Sequence, residues 1–146
     1  MTFKLDYVDP EEQKKRDEKA AEEAAKKEEA ERRAAEEKAR QEAEAAIPTE
    51  YKNALRKAES YSKQMHMSRQ GIYDQLVAEY GEKFSPEAAQ YAIDNMQADW
   101  NENALLKARS YQDLMAMSPE AIRDQLVSEY GEKFTEEEAD YAIANL

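Results

Sequence analysis

The chain has 146 residues, 37% of them charged, with a net charge of −12, three Gly, four Pro and no Cys. That length suits one ordinary domain or two very small ones, and the weight of Ala, Glu, Lys and Arg favours helix. The lack of Cys excludes disulfides, thiolate metal sites and cysteine nucleophiles, and the acidity disfavours nucleic acid or an anionic membrane, whose binding needs clustered cations.

No apolar run approaches the roughly 20 residues of a membrane span. Thr2-Phe3-Lys4-Leu5-Asp6 does not open a signal peptide, so the chain as read is expected to be soluble, with no direct membrane insertion. Residues 1–8 alternate apolar and polar, with Phe3, Leu5 and Tyr7 on one side. That is the period of a short strand, but a lone strand has nothing to pair with, and a flexible or weakly docked start is expected.

Asp9-Pro10-Glu11-Glu12 then reads as a helix start: Asp9 as cap, Pro10 in the first turn, Glu12 placed for a capping box. Ala, Glu, Lys and Arg continue without a breaker to Pro48, with opposite charges at helical spacing such as Glu22 with Lys26 and Glu28 with Arg32. Over residues 10–46 Ala is the only apolar side chain of the helical run, which argues for a single solvated helix about 55 Å long acting as a stiff spacer. A coiled coil and disorder are the alternatives. Residues 1–48 are therefore assigned to a charged helical spacer.

Residues 49–146 contain an internal repeat of period 50. Asn53 to Met96 aligns without a gap on Asn103 to Leu146, and 27 of the 44 positions are identical. Each copy, 49–98 and 99–146, reads as three helices. Thr49 and Asp99 are placed as N-caps of the first, whose buried face carries Ala54, Leu55, Ala58, Tyr61 and Met65 in the first copy. Ser68 and Ser118 cap the second, with Pro119 at its first position in the second copy. Ile72, Leu76 and Tyr80 line it, and Gly81 and Gly131 stop it, where a left-handed C-cap is easy. Ser85 and Thr135 cap the third helix, Glu138 completes a capping box with Thr135, and Phe84 and Phe134 staple onto Ala89 and Ala139. Ala89, Ala92, Ile93 and Met96 form the buried stripe of that helix. The expected fold is all-α: two tandem three-helix, helix-turn-helix-like bundles preceded by a long charged helix. Tyr80, Phe84, Tyr130 and Phe134 are expected to be core. The link Gln97 to Glu102 has no Gly or Pro, so the two copies should touch, with Trp100 near the junction.

No catalytic constellation emerges. His66 is the single histidine and Ala116 takes its place in the second copy, as expected of a surface residue. The acidic pairs lie among Lys and Arg on exposed faces, which is a solvated surface and not an acid–base dyad. Gly71, Gly81 and Gly131 are isolated, so there is no phosphate loop, and no calcium loop is present. No enzyme activity, metal or cofactor is expected. The helix-turn-helix pattern raises DNA binding, but the helix after the turn begins Thr135-Glu136-Glu137-Glu138-Ala139-Asp140, where carboxylates would repel phosphate. The copies also differ in charge: residues 53–96 carry five cations and six acids, residues 103–146 four and nine. That acidity can simply aid solubility, or it can present a face to a basic partner. On the second reading the candidate partner-binding residues are Glu136, Glu137 and Asp140, with Asp113 extending the patch if the first helix of that copy packs nearby.

The residues Tyr51-Lys52-Asn53-Ala54-Leu55, Ile72-Tyr73-Asp74-Gln75-Leu76, Glu79-Tyr80-Gly81-Glu82-Lys83-Phe84 and Tyr91-Ala92-Ile93-Asp94-Asn95 carry a family resemblance. So do their partners Asp124-Gln125-Leu126-Val127, Glu129-Tyr130-Gly131-Glu132-Lys133-Phe134 and Tyr141-Ala142-Ile143. The doubled pattern over residues 49–146 resembles the Ltp family of host-cell-surface-exposed lipoproteins. The resemblance implies a phage- or prophage-encoded, non-enzymatic protein of Gram-positive bacteria used in superinfection exclusion. Such a protein sits on the outer face of the host membrane and blocks DNA injection, with the tape-measure protein as the implied target. Family members at the surface begin with a signal peptide and a lipidated cysteine. This chain shows neither, so residues 1–47 read as a native stalk, a coiled coil or a replaced anchor region. A general helical adaptor unrelated to phage is the competing reading, and a DNA-binding regulator the third.

Overall fold

The computed structural model describes residues 7–146, which contain seven helices and no strand. The chain divides into two compact units, one ending at Ala46 and one spanning Ile47–Leu146. The alternating start of the chain lies outside the described residues up to residue 6; Tyr7 and Val8 are exposed.

The first unit is a single helix, α1 (Pro10–Ala45), 36 residues long and so about 54 Å at about 1.5 Å per residue. Asp9 caps it by accepting from the Glu11 N–H, and Pro10 leads it. The capping box anticipated with Glu12 is not made. None of its residues is buried, because an Ala-only apolar stripe exposes almost nothing that water would expel. Its surface carries pairs one turn apart, Glu22 with Lys26 at 3.1 Å and Glu29 with Arg33 at 2.7 Å. Arg32 bonds Glu36 at 3.2 Å and not the expected Glu28.

The second unit holds six helices: α2 (Thr49–Met65), α3 (Arg69–Val77), α4 (Pro86–Asn95), α5 (Trp100–Met115), α6 (Pro119–Val127) and α7 (Glu136–Ala144). Two cores form, one per copy. In the first, α2 packs chiefly on α4 with α3 across both, closing around Ala54, Ala58, Ile72, Leu76, Ala89, Ala92 and Ile93. In the second, α5 packs on α7 with α6 across both, around Ala104, Leu105, Ala108, Ile122, Leu126, Phe134 and Ala139. Alanines at the α2–α4 and α5–α7 contacts bring backbones close, so cores of this size fill with few large side chains.

The N-cap residues of the second unit follow the sequence with one exception. Ser68, Ser118, Ser85, Thr135 and Asp99 each accept from the N–H three residues on, as expected. Thr49 does not cap: it is the first helical residue, and Pro48 precedes it without a side-chain bond. Met65, expected in the core, is half exposed at the end of α2.

The turn Tyr80-Gly81-Glu82-Lys83-Phe84 and its counterpart correct two further expectations. Helix α3 ends at Val77, and the backbone folds back so that the Gly81 and Lys83 N–H groups donate to Ala78 O, Glu82 to Gln75 O, and Phe84 to Leu76 O at 2.8 Å. The same bonds recur 50 residues on. This reversal turns Tyr80 and Tyr130 out of the core they were expected to join, leaving them 100% and 98% exposed. Neither glycine is left-handed. A Cβ on Gly81 would stand 2.6 Å from Gln75 O, and one on Gly131 2.5 Å from Gln125 O, so glycine serves close approach. The left-handed positions are Lys83 and Lys133 in this turn, and His66 and Ala116 after α2 and α5. Phe84 and Phe134 do pack inward.

The two copies meet along a polar seam. The Asn103 side chain, only 7% exposed, donates to Ser62 Oγ at 2.9 Å and to Met67 O at 3.0 Å. Ser68 Oγ donates to Glu132 O while accepting from the Gly71 N–H, and Lys133 pairs with Asp74. Trp100, at the start of α5, packs against the core of the first copy, as its place at the junction led one to expect. Among the described residues every buried side-chain polar atom has a partner, which the cost of an unmet buried hydrogen bond demands.

Candidate protein-interaction surface

The acidic start of α7 is built by its cap. Thr135 Oγ1 accepts from Glu138 N–H at 3.1 Å, and Glu138 Oε1 accepts from Thr135 N–H at 2.9 Å, closing a capping box. Glu138 is thereby occupied within the helix, as expected. Glu136 and Glu137 stand exposed in the first turn, where the positive end of the helix dipole favours carboxylates. Asp140, one turn on and also exposed, accepts from Arg123 Nε at 2.8 Å. That bond, with the negative charges of Asp140 and Glu136 beside it, raises the Arg123 guanidinium above its ordinary range. The patch thus presents Glu136 and Glu137 freely and Asp140 as half of an ion pair.

Three of the four candidate residues lie on one helix. Asp113 is exposed near the end of α5, but no hydrogen bond or ion pair among the described residues joins it to Glu136, Glu137 or Asp140. The corresponding surface of the first copy is different. Pro86 and Ala88 stand where Glu136 and Glu138 do, Tyr73 replaces Arg123, and the Ser85 N–H is met by Glu50 of α2 at 2.8 Å instead of by a capping box. Arg123 went unnoticed in the sequence because its partner lies on another helix, 17 positions away.

Below each turn lies a matched polar pair. Tyr61 and Tyr111 donate their hydroxyls to Glu82 and Glu132, which also face Lys57 and Lys107. Burial and the neighbouring carboxylate raise the Tyr61 and Tyr111 hydroxyls above the usual phenol range. The Tyr61 hydrogen bond, assisted by Lys57, holds Glu82 below the usual glutamate range despite its partial burial. Each glutamate so employed anchors its turn to the first helix of its copy. The first copy also has an open groove of about 470 Å³ lined by Asn53, Arg56, Lys57, Ser60 and Phe84. Among the described residues no group of three or more His, Asp or Glu side chains could hold a metal ion. Nor is any helix among them long and apolar enough to cross a membrane.

This architecture has known counterparts. Residues 49–96 and 99–146 each match the family described as host cell surface-exposed lipoprotein. The chain is also similar to the solved structure of Ltp, a superinfection exclusion protein from the Streptococcus thermophilus temperate phage TP-J34. The two are 51% identical with a TM-score of 0.62, and the match covers 68% of this chain and 98% of that one. No curated protein matches. With both repeats matched, two thirds of its length, the chain belongs to the family of host cell surface-exposed lipoproteins.

Proposed function

We propose that this protein excludes superinfecting phage by binding, without catalysis, a basic segment of a phage protein that takes part in DNA injection, the tape-measure protein being the leading candidate. The observation that carries this reading is the 51% identity to a superinfection exclusion protein of which the match covers 98%. The family description places its members at the host cell surface, where an incoming phage must pass. The binding surface is the acidic face of the second copy. Residues 103–146 carry nine acids against four cations, and Glu136 and Glu137 spend their charge on no ion pair among the described residues. Contacts of this kind act by steering and at the rim of an interface, so affinity falls as salt rises.

The test displays the full chain on host cells from a lipid anchor and scores phage DNA injection. Changing Glu136, Glu137 and Asp140 to Lys should abolish protection, whereas matching changes at Glu87 and Gln90 in the first copy should not. Asp113→Lys, made separately, asks whether the patch reaches α5. If triple-reversed chains that stay folded by circular dichroism still protect cells fully, the acidity is only solubilising. An undiminished wild-type infection would remove the exclusion reading itself.

A further inference from the structure

We propose that Tyr80 and Tyr130 are paired aromatic anchors on which the basic segment of the partner protein binds; this rests on the reading above and names the residues that grip. In the turn Tyr80-Gly81-Glu82-Lys83-Phe84 nearly every position has work inside the fold. Gly81 allows the approach to Gln75 O, Glu82 holds Tyr61 and Lys57, Lys83 takes the left-handed conformation, and Phe84 packs on the core. The tyrosine alone has none. It is fully exposed in both copies, on a turn that four backbone hydrogen bonds hold rigid.

Several other exposed positions have drifted between the copies. Glu59 faces Arg109 in the alignment, Lys63 faces Asp113, Gln64 faces Leu114 and Gln70 faces Glu120. Glu79-Tyr80 and Glu129-Tyr130 have not, although packing places no demand on either side chain. A free aromatic ring beside an exposed carboxylate suits a guanidinium or ammonium, which stacks on the ring while the carboxylate meets its charge. Tyrosine on a rigid backbone loses little freedom on binding and is enriched among the residues that dominate interfaces. The chain's charge of −12 makes a basic occupant the complementary one. Lys83 is exposed beside Tyr80, whereas Lys133 is drawn into its pair with Asp74, so Tyr130 offers the less cationic tip and is the stronger of the two.

The experiment titrates a short arginine-rich peptide against the full wild-type chain and against Y80A, Y130A, Y80A/Y130A and Y80F/Y130F, with thermal melts of each. The alanine pair should melt like the wild type yet bind the peptide about ten-fold or more weakly, with Y130A the larger single loss. The phenylalanine pair should keep its affinity, because the ring is what binds. Binding by the alanine pair within about two-fold of wild type overturns the proposal, as does a phenylalanine pair as weak as the alanine pair. A wild-type chain that does not bind the peptide overturns it too. In the phage-injection assay, an alanine pair that still protects cells as wild type does counts against the anchors alone. Failure of the wild-type chain to protect counts against exclusion and leaves the peptide result to judge the tyrosines.

Discussion

The two copies share a fold, a turn and 27 of 44 residues, yet the same residue often does different work in each. Asn103 is buried and bridges to Ser62 and Met67 O, while Asn53 is exposed. Ser68 both caps α3 and reaches Glu132 O, while Ser118 caps α6 and is otherwise exposed. Lys133 pairs with Asp74 across the seam, while Lys83 and Asp124 are exposed. Duplication supplies most of a docking surface to both copies (Ser62, which has Gln112 as its counterpart, is an exception), and each copy uses only the half that faces its neighbour. The unshared positions then divide the roles: Arg123, Glu136, Glu138 and Asp140 stand where the first copy has Tyr73, Pro86, Ala88 and Gln90.

The largest effect expected from this comparison concerns the two phenylalanines. Phe134 is 4% exposed and belongs to the second core, whereas Phe84 is only partly buried. Phe134→Ala should therefore cost about 3–5 kcal/mol, enough to unfold so small a unit at ordinary temperature, and Phe84→Ala distinctly less. Urea denaturation of both variants checks the order. Equal losses would mean that the two turns pack alike and that the asymmetry is confined to the seam.

The seam gives the next effect. Asn103→Ala leaves Ser62 and the Met67 carbonyl without their partner in a buried place, at about 1–3 kcal/mol. Asn53→Ala removes an exposed side chain and should stay within about 0.5 kcal/mol. A two-step melt in the Asn103 variant would show that the seam is what joins the copies into one cooperative unit.

Much of this fold was legible because its signals are local. Caps, the spacing of Ala, Ile and Leu, and the period of 50 each act within a few residues or repeat in register, so helix number, order and most core positions follow from them. The turn was misread for a physical reason. Tyr80 stands four residues after Leu76, on the face a continuing helix would bury, but the Phe84 N–H takes the Leu76 carbonyl and the helix ends at Val77. That bond depends on how the turn folds, which a one-dimensional pattern does not contain. The seam and the Arg123–Asp140 pair were hidden likewise, since each joins residues far apart in sequence. The acids of α7 were visible from charge alone, and the role of Glu138 in the capping box from its place three residues after Thr135.

A smaller effect tests the polar pair beneath the first turn. Glu82 is held below its ordinary value of 4.5 chiefly by the Tyr61 hydrogen bond. A depressed carboxylate stabilises the fold when ionised, so its contribution is whole above that value and is lost as pH falls through the lower folded value. Wild-type stability should therefore decline more steeply below pH 4.5 than that of Glu82→Gln, with the two curves running parallel at neutral pH. Tyr61 and Tyr111 give the opposite limb. Their raised hydroxyls contribute fully below the ordinary phenol value of 10.0 and lose that contribution as pH climbs through the higher folded one. Identical acid limbs in wild type and the Gln variant would show that Glu82 merely sits beside Tyr61.

The smallest effect expected comes from removing residues 1–47. Helix α1 has no buried residue, and its apolar side chains between Pro10 and Ala45 are all Ala. At roughly 25 cal/mol per Å² of apolar surface removed from water, methyl groups already in water contribute nothing to the cores. Its ion pairs of Glu22 with Lys26, Arg32 with Glu36 and Glu29 with Arg33 join residues four apart on the same helix, so they support α1 itself at about 0.3–0.5 kcal/mol each. The cores of the second unit are closed by side chains from Tyr51 onward. The melting temperature of residues 48–146 should therefore match that of the full chain by calorimetry, and the far-ultraviolet helix signal should fall by the share that α1 supplies. A loss of about ten degrees, on the order of 1–2 kcal/mol in a domain of this size, would reveal an interface that burial does not register. It would also make the two copies a poor unit in which to compare one seam with one turn.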